Sequence, residues 1–169
     1  MNKQEIYDLL NRSGVTFEAV EHKSVCNMAQ LSEIEMPWSE AEAKNLFVRD
    51  DKKQRYIFIT VKGEKRVDLK AFRHAHQMRP LSFATAEELM DKLGLIPGAV
   101  TPLGALNDQE GAVQVFIDRE LSEEQGQVAV HPNDNTATVL LKTEDLIRVL
   151  RENGHTVETT ELQSQKRIR

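Results

Sequence analysis

Asn45-Leu46-Phe47-Val48-Arg49-Asp50-Asp51-Lys52-Lys53-Gln54-Arg55-Tyr56-Ile57-Phe58-Ile59-Thr60-Val61 is the stretch whose reading decides the fold. It predicts a β-hairpin: a strand over Asn45–Arg49, a charged turn over Asp50–Lys53, and a second strand over Arg55–Val61. From Tyr56 to Val61 the second strand is almost continuously apolar. A strand that faces water on one side alternates, so this one is expected at the centre of a sheet, covered on both faces.

Helices and further strands surround the hairpin. Asn2 and Glu5 have the spacing of a capping box, followed by Ile6, Leu9 and Leu10 at helical intervals and a stop at Gly14. Thr16–Glu21 reads as a short strand, Met28–Ile34 as a short helix closed by Pro37. Asp68 is placed to cap a helix carrying Leu69 and Phe72. Thr85 with Glu88 forms a second capping box, with Leu89, Met90 and Leu93 expected on one inward face and Gly94 as terminator. Val113–Ile117, Val128–His131 and Thr136–Leu141 are strands, the last two joined by the turn Pro132–Asn135. Thr143 is expected to cap a helix with Leu146, Ile147 and Leu150 facing inward, and His155–Thr160 to form an edge strand. Hairpins interleaved with single helices predict an α+β fold. The segment Gly94–Gly104 is irregular yet nearly uncharged, unlike an ordinary surface loop, so it is expected to pack or to line a pocket.

Composition narrows the chemistry. The chain has 169 residues, 40% hydrophobic and 29% charged, with eight glycines and five prolines, which excludes collagen-like and wholly disordered classes. No window is apolar for the length needed to cross a bilayer, and the acidic N-terminus does not read as a signal peptide, so a cytoplasmic protein without membrane partners is expected. The single cysteine, Cys26, forms no internal disulfide and has no evident base, so it reads as a small buried hydrophobe. There is no CxxC, HExxH, GxGxxG or Walker loop, and the five histidines (His22, His74, His76, His131, His155) do not have metal-ligand spacing. No metal or cofactor is expected. The net charge of −5 hides a segment, Lys44–Arg79, that alone carries +7. Such a segment suits either a polyanion or a solvated sheet edge blunted by lysines.

Three segments taken together carry a family resemblance: Ala43-Lys44-Asn45-Leu46-Phe47, Gly94-Leu95-Ile96-Pro97-Gly98-Ala99-Val100-Thr101-Pro102-Leu103-Gly104, and His131-Pro132-Asn133-Asp134-Asn135-Thr136. Their order and spacing resemble the YbaK/ProX family, free-standing relatives of the editing (INS) domain of bacterial prolyl-tRNA synthetases. The resemblance runs from about Lys3 to Gly154. It implies a mixed, partly barrel-like sheet with flanking helices, a domain over residues 1–160, and a basic frayed tail over 161–169. It also implies hydrolysis, without a cofactor, of an aminoacyl ester on mischarged tRNA(Pro). Alanine is the expected amino acid; cysteine, serine and threonine branches exist. Prolyl-tRNA synthetase is a further candidate partner, and a non-catalytic module binding tRNA or a synthetase is the alternative function.

The same resemblance assigns roles. Lys44 would lie beside the pocket and hold the terminal phosphate or ribose, or the developing charge; otherwise it is a surface lysine on a strand. In a regular strand Asn45 points away from Lys44 and either meets substrate or bonds a loop. Gly98 and Ala99 would offer backbone N–H groups to the oxyanion, the alternative for Gly98 being a turn that requires positive φ. His131 would contact substrate or position a water; the alternative is a turn histidine bonded to nearby backbone. Asn133 and Asn135 read as turn formers. Phe47, Val100, Leu103 and Gly104 are candidates for the wall that excludes proline. Lys52, Lys53, Arg55, Lys62, Lys65 and Arg66 are the candidate tRNA contacts.

Overall fold

The computed structural model describes residues 1–23, 41–63 and 65–162. The expected Met28–Ile34 helix, Cys26 and the basic tail from Gln163 onward lie outside the described residues. Two sheets form the frame. One is five-stranded and mixed: β2 (Ala43–Asp50), β3 (Tyr56–Lys62), β4 (Leu81–Phe83), β5 (Val113–Asp118) and β8 (Val157–Thr160), in the order β4-β2-β3-β5-β8. The other is three-stranded and antiparallel, with β1 (Phe17–Glu21), β6 (Gln127–Val130) and β7 (Ala137–Lys142) in the order β1-β7-β6. The expected α+β class with a mixed sheet is present. The barrel-like closure is not: among the described residues the strands form two separate open sheets.

β3 is the central strand that its apolar run demands. It pairs antiparallel with β2 and parallel with β5, and Ile57, Phe58, Ile59, Thr60 and Val61 are all buried. Each large apolar side chain so buried contributes about 1.5–3 kcal/mol. Strand alternation splits the pair between two cores. Phe47 and Phe58 face Val128, Val130, Val139 and Leu141 of the smaller sheet, together with helix α1 (Lys3–Arg12) and helix α4 (Thr143–Glu152). Leu46, Val48, Ile57, Ile59 and Val61 face Phe72 of helix α2 (Leu69–Ala75).

Local signals placed most helix ends. The capping boxes of α1 and of helix α3 (Ala86–Leu93) form as read, Asp68 accepts from the Ala71 N–H, and Gly94 ends α3 at φ 65°. Two readings are corrected, and one strand has no counterpart in the sequence reading. Met90 is exposed, because the inward stripe of α3 is only wide enough for Leu89 and Leu93. Thr143 is the first residue of α4 rather than its cap; its hydroxyl donates to the Leu121 carbonyl at 2.6 Å. The three-residue strand β4, too short to show alternation, lies on the outer edge of β2.

Candidate active site

An open cleft of about 190 Å³ lies along the outer edge of β2. Asn45, Leu46 and Phe47 form one side, Phe83–Ala86 with Leu89 of α3 the other, and Pro97 and Val100 the floor. Its existence follows from strand lengths. β4 pairs only with Val48–Asp50, and the Ala84 N–H closes the contact on the Phe47 carbonyl at 2.9 Å. Towards Ala43, no described strand covers the edge.

α3 is held at the cleft by a polar knot. Arg49 Nε lies 3.0 Å from one Glu88 carboxylate oxygen, and the Tyr56 hydroxyl donates to the same oxygen at 2.7 Å. Glu88 also closes the capping box with Thr85. The Tyr56 hydroxyl, the Thr85 backbone and Arg49 together hold the Glu88 pKa down to about 2, against the pull of burial. Lys92 sits over the Tyr56 ring, 4.8 Å from its centroid.

Asn45 is a tie rod. Its Nδ2 donates to the Val100 carbonyl at 3.3 Å, and its Oδ1 accepts from the buried Thr60 hydroxyl at 2.8 Å. One side chain thus joins β2, β3 and the Gly/Pro segment. Of the two sequence readings of Asn45, the bond to a loop is the contact formed.

The Gly94–Gly104 segment packs as its composition suggests, through two short 3₁₀ turns over Pro97–Ala99 and Pro102–Asn107. Leu103 is fully buried in the core, and Gly104 lies so close to Leu95 that a Cβ would run into that side chain. Neither lines the cleft; their place as wall candidates is corrected to packing. Phe47 and Val100 do line it. The Ala99 N–H is engaged by the Ile96 carbonyl at 3.0 Å, so Ala99 is not a spare oxyanion donor. Gly98 does not have positive φ, so backbone conformation alone does not explain its glycine.

Lys44 does not line the cleft. The pleat places it on the side of Leu46 and Val48, opposite Asn45 and Phe47. Its ammonium has no hydrogen bond or ion pair with a described residue. His131 follows β6, and its Nδ1 donates to the Ala137 carbonyl at 2.8 Å across the turn. Burial pushes its pKa down, so the neutral ring presents Nε2 as an acceptor. This is the contact of a turn histidine, and His131 is absent from the cleft lining. Asn133 adopts φ 60°, as a turn former does.

The basic segment is divided. Lys52, Lys53 and Arg55 are exposed at the hairpin tip, where Arg55 bonds Gln114 at 3.1 Å. Lys62 and Arg66 lie at the opposite end, where Lys62 is paired with Ala43. Lys65 is consumed internally: its Nζ bonds buried Asp118 at 2.8 Å, Glu120 at 3.1 Å and the Leu162 carbonyl at 3.2 Å. Its place among the tRNA contacts is corrected to a structural tie.

Leu46, Phe83, Ala84, Thr85, Ala86, Leu89 and Pro97 also line the cleft and are not among the site residues expected from the sequence. Phe83 is 62% exposed beside the cleft. Its isolation in a three-residue strand gave periodicity nothing to detect. No group of three or more metal-ligating side chains occurs among the described residues, and no helix among them is long and apolar enough to cross a membrane.

The model of the aminoacyl-tRNA editing domain matches residues 22–149. The chain is 35% identical over 160 residues to the prolyl-tRNA editing protein ProX of Acetoanaerobium sticklandii, covering 95% of this chain and 97% of that protein. It is 30% identical over 155 residues to prolyl-tRNA synthetase associated domain-containing protein 1 of Danio rerio, covering 91% and 84%. A solved structure described as a candidate trans-editing enzyme for prolyl tRNA synthetase has the same fold, with a TM-score of 0.67 at 21% identity over 96% of this chain and 97% of that one. The chain belongs to the aminoacyl-tRNA editing domain family.

Proposed function

We propose that this protein hydrolyses the ester linking a wrongly attached amino acid to tRNA(Pro), and that the amino acid is alanine. The observation that carries this reading is the lining of the cleft: mostly apolar, and among the described residues without a titratable side chain. An aminoacyl ester is already activated. It needs a placed water and a donor for the developing oxyanion, not a strong base. The water adds to the ester carbonyl, and the tetrahedral intermediate collapses with loss of the ribose oxygen. That oxygen leaves as the hydroxyl once it has taken the proton given up by the water. The neighbouring ribose hydroxyl of the substrate is the group placed to relay that proton.

Phe47 and Val100 bound the space for the amino-acid side chain, which favours alanine by exclusion of larger groups, the second sieve of editing. Lys44 holds the phosphate or ribose of the terminal adenosine. A cysteinyl side chain adds only one sulfur atom, so cysteine is the second reading. The names of the Acetoanaerobium and zebrafish relatives support proline-specific tRNA as the carrier and association with the synthetase.

The test is deacylation of alanyl-, cysteinyl-, seryl- and prolyl-tRNA(Pro) by the purified protein. Alanyl-tRNA(Pro) is expected to be cleared fastest and prolyl-tRNA(Pro) spared. Faster clearance of the cysteinyl ester overturns the alanine assignment, and no turnover of any ester overturns the reaction.

A further inference from the structure

The hydrogen-bond parity of β2 says where its backbone points. The Gly63 N–H bonds the Glu42 carbonyl at 2.8 Å and the Asp50 N–H bonds the Arg55 carbonyl at 3.1 Å. In the register Ala43↔Lys62 to Arg49↔Tyr56, even-numbered residues of β2 therefore bond β3, and odd-numbered residues point their N–H and C=O the other way. The Ala84 N–H on the Phe47 carbonyl confirms that direction. Both polar backbone groups of Asn45 thus project from the outer edge of β2. Among the described residues no strand pairs with them, and Asn45 lines the cleft.

Resting on the function proposed above, we infer that the aminoacyl group docks on Asn45 as a one-residue antiparallel strand. An aminoacyl ester has the two groups that such a pair requires. Its α-ammonium donates to the Asn45 carbonyl, and its ester carbonyl oxygen accepts from the Asn45 N–H. As water adds, the negative charge gathers on that same oxygen, so the N–H that orients the substrate also stabilises the oxyanion. This donor takes the place that the engaged Ala99 N–H cannot fill.

The pairing also fixes the side chain. In an antiparallel pair, opposed residues put their side chains on the same face. The amino-acid side chain then lies on the Asn45 face, towards Phe47 and Val100, and not on the Lys44 face. Recognition of the shared backbone is thereby separated from selection of the side chain. A prolyl group keeps two N–H donors on its secondary ammonium and is not refused at the Asn45 carbonyl; its ring, which ties the nitrogen to the side chain, must instead be refused by Phe47 and Val100 on the Asn45 face.

The test pairs two variants with two ligands. Asn45→Ala keeps the edge N–H and loses the tie to Val100 and Thr60; Asn45→Pro loses both, while the ladder to β3, which does not use that N–H, stays intact. Asn45→Pro is expected to lower kcat on alanyl-tRNA(Pro) a further ~100-fold below Asn45→Ala, the usual loss for one oxyanion donor. The second measurement uses the wild-type protein and stable amide analogues, 3′-alanylamino- and 3′-propionylamino-3′-deoxyadenosine, as competitive inhibitors. Lacking the ammonium, the propionyl compound is expected to bind at least tenfold more weakly. Equal activity of the two folded variants, or equal inhibition by the two analogues, overturns the inference while leaving the deacylase reading in place. If Asn45→Pro fails to fold, the inhibitor pair decides. Absence of turnover by the wild type on every ester defeats the reading beneath it instead.

Discussion

Removing the Asn45 side chain should cost more than the bonds it makes, because it strands a partner. Thr60 is fully buried, and its hydroxyl donates only to Asn45 Oδ1, at 2.8 Å. In Asn45→Ala that hydroxyl stays buried without an acceptor, a penalty of about 1–3 kcal/mol. The bond to the Val100 carbonyl is long, 3.3 Å, and its loss adds only about 0.5 kcal/mol. The expected destabilisation is therefore ~2–3 kcal/mol. Thr60→Val leaves Asn45 Oδ1 unpaired instead, but Asn45 is half-exposed and water can replace the hydroxyl, so ~0.5–1 kcal/mol is expected. The double variant Asn45→Ala/Thr60→Val has no stranded hydroxyl. It should be more stable than the sum of the single losses predicts, by ~1–2 kcal/mol. Urea unfolding of the four proteins reads this coupling directly. Additivity within ~0.5 kcal/mol would refute the tie-rod account, since residues without a shared interaction add to that precision. Deacylation by Thr60→Val should stay near that of the wild type, because Asn45 still holds Val100.

The remaining predictions concern charge. Lys44→Ala should abolish most deacylation with an unchanged unfolding midpoint, as the ammonium has no partner among the described residues; full activity in the folded variant would remove Lys44 from the site. Lys62→Glu/Arg66→Glu, at the Lys44 end of the sheet, should weaken tRNA binding and lower the slope of log K against log salt by about 1 for each phosphate that is no longer neutralised, whereas a solvated face would leave that slope unmoved. Lys65→Met should act on stability instead, by ~3 kcal/mol, because it leaves Asp118 buried at 1% exposure without its cation, and tRNA affinity of the folded variant should be unchanged. Acid unfolding should come in two steps. Burial lowers the pKa of His155, whose Nδ1 has no partner among the described residues, so the stability that depends on its neutral form begins to be lost as pH falls below about 6.5 and is gone below its folded value. Glu88, held to about 2, contributes stability above its ordinary value of 4.5 that is lost as pH falls towards 2. Stability measured against pH should show a smaller upper step in His155→Leu, the remainder coming from His131, and a smaller lower step in Glu88→Gln.

Local chemistry made a large part of this protein legible from its residues. The apolar run Tyr56–Val61 required a central strand, and the capping boxes at Asn2/Glu5 and Thr85/Glu88 marked where two helices begin. Each is a statement about neighbours in sequence, held by side-chain periodicity or by a hydrogen bond spanning three residues. The Gly94–Gly104 segment announced by its lack of charge that it would pack, but not which of its residues would face the cleft. Leu103 and Val100 are both apolar and three positions apart, and only the fold decides that one is sealed in the core while the other lines the site. The division of the basic segment was likewise invisible. Lys65 differs from Lys52 only in lying opposite Asp118, fifty-three residues away in sequence, and a buried carboxylate at that distance leaves no mark on the local pattern. Among the described residues the open edge of β2 is a consequence of length, since β4 stops after three residues; which backbone groups have no described strand partner is set by pairing across the sheet and not by the strand's own sequence.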